Sequence, residues 1–186
     1  GPAEFDVSWW NGDDGVIAIR SCFYDDEYVF SRDGTFRNVL GDDTWVEVWQ
    51  GGTDACDAPV APHDASIPAT FEYDDAGQTL TITGQGSYMG LPKAVNGQEI
   101  ASPGDAPGSI VYNAYEQEDG SLLVSVEVAD GGWWNYKFIK TAEPPPPSPF
   151  QGTWVVASEA GSLGVGPAEF DVSWWNGDDG VIAVRD

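Results

Sequence analysis

Apolar and polar side chains trade places at every second position in Thr79-Leu80-Thr81-Ile82-Thr83, and again where Trp134, Tyr136 and Phe138 alternate with Asn135 and Lys137. A period of two marks a β-strand with one buried face. Strand character of this kind predicts strands over residues 16–24, 27–31, 35–40, 44–50, 70–73, 79–83, 109–117, 121–128 and 133–140. Hairpin signals lie between several of them, at Arg32-Asp33-Gly34, Asp74-Asp75-Ala76-Gly77 and Glu118-Asp119-Gly120. No long stretch repeats at helical spacing, and a short helical turn is expected only over residues 6–10. The expected class is all-β: an antiparallel meander, β-barrel or sandwich of about 8–10 strands with long loops and short helical turns only. Residues 51–69 and 85–108 are Gly- and Pro-rich and aperiodic, and loops of such length usually carry function or an interface.

A second pattern runs over the whole length. Residues 1–20 read GPAEFDVSWWNGDDGVIAIR and residues 166–185 read GPAEFDVSWWNGDDGVIAVR, identical at nineteen of twenty positions with Ile19 replaced by Val184. The offset of 165 residues is the size of a domain rather than of a solenoid unit. A folded domain has one slot for a given segment, so the two copies are expected to belong to two domains. Residues 142–149, AEPPPPSP, read as a stiff polyproline linker. The expected organisation is most of one β-domain over 1–141, the linker over 142–149, and the N-terminal part of the next repeat over 150–186. On this frame the first domain lacks a leading strand, the equivalent of residues 153–158. The inter-domain junction is expected to involve Pro144, Pro145, Pro146, Pro147, Phe150, Trp154, Val155, Trp174 and Trp175.

Composition narrows the setting. Hydrophobic residues make up 41% and aromatics 13%, enough for a packed core despite the charge. Seven basic against 31 acidic residues give a net charge of −24. Such a surface repels nucleic acid and anionic lipid, attracts divalent cations, and stays soluble in salt. No apolar run is long enough for a membrane span. Cys22 and Cys56 are the two cysteines, and in an extracellular repeat an even pair is most simply a disulfide. It would close a loop of about 35 residues, worth roughly 3–4 kcal/mol on the chain-entropy model. The expected location is secreted or at the cell surface.

Within the repeat frame, the order GTW (Gly152 and Trp154), then YVFSRDGTF, then FEYDDAGQTLTITG and a final aromatic strand ending YKFIK resembles lipocalin-like small β-domains. That resemblance implies an antiparallel meander. The stretches WQGG…PVAPHD and GLPK…NG also resemble repeats of large secreted or surface proteins of bacteria, which implies a bacterial extracellular role in structure or adhesion.

Three groups of residues could carry chemistry. Asn11, Asp13 and Asp14, with their copies Asn176, Asp178 and Asp179, offer oxygen ligands on glycine-punctuated loops. Calcium takes oxygens from such loops, but Asp and Asn are also ordinary turn residues. Trp9, Trp10, Trp133 and Trp134 offer flat faces to sugar rings or to a neighbouring domain. His63 and Asp64 form the one imidazole–carboxylate neighbour pair, with Ser66 nearby but in no nucleophile-elbow motif. A catalytic role is therefore not expected, and neither is a cofactor, with calcium the one candidate ion. The expected function is a non-enzymatic structural repeat of an extracellular filament, stalk or matrix protein, with neighbouring copies as its head-to-tail partners. A multivalent glycan-binding adhesin module and a calcium-stiffened surface spacer are the alternatives.

Overall fold

A computed structural model describes residues 1–141 together with residues 164–165 and 175–176. The chain divides into two units, Gly1–Thr141 and Ala142–Asp186. In the first unit the strands are β1 (Glu27–Phe30), β2 (Thr35–Val39), β3 (Thr44–Val46), β4 (Ala55–Asp57), β5 (Ala69–Asp74), β6 (Thr79–Thr83), β7 (Ala94–Val95), β8 (Gln98–Glu99), β9 (Ser109–Glu116), β10 (Leu122–Ala129) and β11 (Gly132–Phe138). Seven of these form one antiparallel sheet in the order β1-β2-β5-β6-β9-β10-β11, while β3–β4 and β7–β8 are small separate ribbons. Tyr28 on β1 and Phe138 on β11, the two ends of that order, pack with ring centroids 5.0 Å apart. The sheet is therefore curled into a half-barrel.

Alternation explains which face is which. Phe36, Leu80, Ile82, Ile110, Tyr112, Ala114, Val124 and Val126 all point inward and are buried. The inner face is filled by the stretch between β6 and β9. Tyr88, Met89, Leu91, Ala94, Val95, Ile100 and Ala106 are buried, most of them in one cluster with the sheet's inward side chains. Three tyrosyl oxygens grip this insert from the sheet. Tyr112 accepts from the Met89 N–H at 3.0 Å, Tyr28 from Gly90 at 3.2 Å and Tyr136 from Leu91 at 3.2 Å. On β2, Asn38 donates to the Tyr88 carbonyl at 2.8 Å. Backbone groups taken into an apolar interior need such partners. Gly90 is required here, because its φ is +75° and a Cβ would meet the Tyr136 ring at 2.2 Å. Residues 85–108, expected as a long aperiodic loop carrying function or an interface, thus supply about a third of the buried core.

Residues 16–24 also differ from expectation. They form α1 (Asp14–Ile19) and α2 (Ser21–Tyr24) instead of a strand. The Asp13 side chain accepts the Val16 N–H at 3.0 Å, a helix N-cap that outweighs the β-branched run following it. Ile19 remains 68% exposed, so this segment has no buried stripe to make it a strand. No helix forms over residues 6–10. The expected disulfide is present: Cys22 on α2 bonds Cys56 on β4, with Cα atoms 5.9 Å apart. It fastens the helical segment beside Trp45 and Leu91, where Arg20 lies over the Trp45 ring at 4.4 Å.

In the second unit, β12 (Gly164–Val165) pairs antiparallel with β13 (Trp175–Asn176). The expected linker 142–149 with its four prolines, and the junction residues Phe150, Trp154, Val155 and Trp174, lie outside the described residues.

Candidate functional site

Strands β9, β10 and β11 carry a row of polar side chains on their outer face. The register pairs Asn113 with Ser125 and Ser125 with Asn135, so three consecutive strands present Asn, Ser and Asn side by side. Ser125 points away from the core, yet it is 0% exposed. It is covered by the N-terminal segment, the first copy of the repeated sequence.

Glu4 is the anchor. Its Oε1 accepts from the Ser125 hydroxyl at 2.6 Å and from Asn113 Nδ2 at 3.0 Å, while Oε2 accepts from the Tyr115 hydroxyl at 3.5 Å. Asn135 completes the row by reading backbone: its Oδ1 accepts the Phe5 N–H at 2.8 Å, and its Nδ2 donates to the Asp6 carbonyl at 3.5 Å. The Phe5 ring packs edge-on against Tyr115 at 5.7 Å. Gly1 adds a two-bond bridge to β11, donating to the Trp133 carbonyl and accepting the Trp133 N–H, both at 3.0 Å. Edge-strand groups left open to solvent are thereby paired at one point. Every contact uses Gly1, Glu4, Phe5 or Asp6, and each of these recurs at the same spacing as Gly166, Glu169, Phe170 and Asp171.

Beside this cradle lies a cleft of about 240 Å³ whose lining includes Trp9, Trp10, Trp133 and Trp134. The fold thus brings together the four tryptophans expected to offer flat faces, Trp9, Trp10, Trp133 and Trp134. They are not equivalent. Trp134 packs against the core and donates from Nε1 to Glu99 Oε1 at 2.6 Å, and Trp10 meets it edge-on at 5.9 Å. Lys93, salt-bridged to Glu47 at 3.1 Å, sits 5.5 Å from the Trp134 ring. Trp9 is 67% exposed. In the second unit, the counterparts of Trp10 and Asn11 are Trp175 and Asn176, the two residues that pair with Val165 and Gly164.

The acidic loop is used locally. Asp13 caps α1, and Asn11 lines the tryptophan cleft. Asp14 is the first residue of α1; Asn176 lies on β13, and Asp178 and Asp179 fall outside the described residues. Among the described residues, one group has the spacing for a metal, Cys22, Asp43 and Cys56, and both its sulfurs are in the disulfide.

His63 is buried at 2% exposure, packed edge-on against Trp49 and Tyr88 at 5.5 and 5.9 Å. Its Nδ1 has no hydrogen-bond partner, and burial pulls its pKa down to about 4. Asp64 accepts both the Ser66 N–H at 3.1 Å and the Ser66 hydroxyl at 2.5 Å. Histidine, aspartate and serine are therefore not arranged as a proton relay: the serine hydroxyl is spent on the carboxylate in an exposed turn. Asp26 is also displaced, pushed up to about 7 by burial despite the Thr44 hydroxyl donating to it at 2.7 Å.

Sequence reading missed the cradle, because Glu4, Asn113, Ser125 and Asn135 are unremarkable in isolation. The available signal was a polar residue at the outward position of three adjoining strands, two of them otherwise rich in β-branched and aromatic side chains. Compared with protein-family models, curated proteins and solved structures, the chain matches none.

Proposed function

We propose that this chain is a non-enzymatic structural repeat of an extracellular filament, stalk or matrix protein, in which residues 150–186 begin the next repeat domain. One observation carries the reading. The first copy of the repeated segment is built into a domain, with the half-buried Glu4 bonded to a polar row that has room for one such segment. A second copy of the same residues then calls for a second domain with the same row. The disulfide and the acidic surface fit an oxidising, saline exterior. The test is a chain extended beyond Asp186 by a copy of residues 22–141. Its calorimetric unfolding enthalpy is expected to be about twice that of the 186-residue chain, because enthalpy scales with folded length. An unchanged enthalpy and rapid proteolysis of the added stretch would refute the reading.

A second reading rests on the tryptophan cleft. Four indoles and the nearby carboxylate of Glu99 are a combination suited to stacking on a sugar ring and bonding its hydroxyls. Multivalent display would turn weak single-site binding into adhesion. Here the expected result is glycan-dependent quenching of tryptophan fluorescence, abolished in Trp9→Ala. No response across a glycan array counts against it.

A further inference from the structure

The dipeptide Asn-Gly occurs three times, at Asn11-Gly12, Asn96-Gly97 and Asn176-Gly177. Glycine has no Cβ to shield its backbone nitrogen, so an asparagine just before it is open to attack by that nitrogen. The fold treats the first two of these sites in opposite ways. We propose that Asn11 is a site of spontaneous deamidation, which loosens the segment joining the outer-face cradle to α1, while Asn96 is protected from the same reaction. This goes beyond the structural reading of the chain and does not depend on it.

The reaction needs only the chain and water. The Gly12 nitrogen gives up its proton and attacks Cγ of Asn11. An N–Cγ bond forms, the Cγ–Nδ2 bond breaks, and the amide leaves as ammonia with that proton. Water then opens the five-membered imide at either carbonyl, giving aspartate or isoaspartate. No oxidant, reductant or metal enters the balance.

Asn96 and Gly97 form the two-residue turn between β7 and β8. Asn96 is exposed, yet its amide is fixed at both ends. Its Nδ2 donates to the Val111 carbonyl at 2.7 Å, and its Oδ1 accepts the Val111 N–H at 2.8 Å. The side chain stands in for a neighbouring strand there, because the β9–β10 register ends at Asn113. The attacking nitrogen is engaged as well, since the Gly97 N–H donates to the Glu127 carbonyl at 2.8 Å. Closing the imide ring at Asn96 therefore breaks three hydrogen bonds and requires local opening.

Asn11 and Gly12 are also exposed, but they lie in a stretch without regular structure. Among the described residues, neither the Asn11 side chain nor the Gly12 N–H has a hydrogen-bond partner. This stretch is tied at both ends. On one side the Phe5 N–H is held by Asn135 at 2.8 Å, and on the other Asp13 caps α1 through the Val16 N–H at 3.0 Å. Beyond α1, Cys22 on α2 is fixed to β4 by the disulfide. Isoaspartate carries the main chain through its own Cβ and so adds a carbon to the path between these anchors. Either product also places a new carboxylate beside Asp13 and Asp14.

The experiment ages the intact chain in neutral buffer and maps it with trypsin, which puts Asn11, Asn96 and Asn176 on separate peptides. Mass spectrometry of those peptides follows the change from amide to acid. Conversion at Asn11 should outpace conversion at Asn96 by at least about tenfold, because only Asn96 must first lose its bonds. In concentrated urea the two rates should come within about threefold of each other, since the protecting contacts are then gone. Asn11→Gln should abolish the fast conversion. Freshly prepared Asn11→Asp supplies the new charge without the longer main chain. Amide exchange at Phe5 and Val16 should quicken in the isoaspartate form and keep the wild-type rate in Asn11→Asp. Equal conversion of Asn11 and Asn96 in the folded chain overturns the inference. So does an Asn11 that stays an amide in the folded chain while the unfolded chain converts. Isoaspartate that leaves both exchange rates unchanged overturns the loosening of the segment.

Discussion

The two faces of one sheet are built on opposite rules. Inward, Ile82, Tyr112, Val124 and Val126 are buried with an insert of the same chain, and tyrosyl oxygens grip the insert's backbone away from water. Outward, Asn113, Ser125 and Asn135 hold a short segment through a carboxylate and backbone bonds at the protein's rim. The inner layer loses its apolar burial if anything leaves. The outer layer exchanges one set of hydrogen bonds for water. The first arrangement makes a fold, and the second seats the N-terminal segment on the finished sheet.

The contrast predicts a ranking of perturbations. Ile82→Ala, which opens a hole at the centre of the inner face, should cost about 2–5 kcal/mol by chemical denaturation. If it cost less than Glu4→Gln, the division between the two faces would collapse. Next comes loss of the Cys22–Cys56 link by Cys22→Ser/Cys56→Ser, at about 3 kcal/mol, because it ties the helical segment to β4 and not to the inner insert. Hydrogen exchange at Met89, Gly90 and Leu91 should then stay slow while that of residues 14–24 speeds up. Smaller again is Glu4→Gln, about 1–2 kcal/mol in dilute solution, with an unchanged near-ultraviolet signature of the inner tyrosines.

The smallest net effect is expected from pH on the wild-type protein, where two opposing titrations offset each other. The Asp26 carboxyl has a higher pKa folded than unfolded. It favours the fold below its ordinary 3.8 and loses that contribution as pH rises toward about 7. His63 is shifted the other way: its contribution is present above 6.5 and is lost as pH falls toward about 4. The two slopes oppose each other, so wild-type stability should be nearly level between pH 4.5 and 6.5, a window of about two units. Asp26→Asn should leave stability rising with pH there, and His63→Gln should leave it falling. Melting temperatures across that window decide it; parallel curves for both variants would mean that neither group titrates as its burial requires.

Much of this fold was legible before any coordinates. The strands at 79–83 and 109–117 follow from alternation alone, since a period of two has one way to bury its apolar half. The Asp-Gly turns and the cysteine pair were equally local. Residues 16–24 misled because β-branched residues suggest a strand, while the decisive signal was a single capping aspartate. Residues 85–108 misled because buried irregular chain has no period. Only partners far along the sequence, Tyr28, Tyr112 and Tyr136, make its burial affordable.

By itself, the sequence determined that this is an antiparallel β-protein carrying one segment twice, with a pair of cysteines to link. Identity and alternation are properties of a string. Only the tertiary structure decided what the repeated segment does, because a cradle made of Asn113, Ser125 and Asn135 exists only once three strands stand in register. Strand register comes from packing across the whole sheet, so no local pattern announces it.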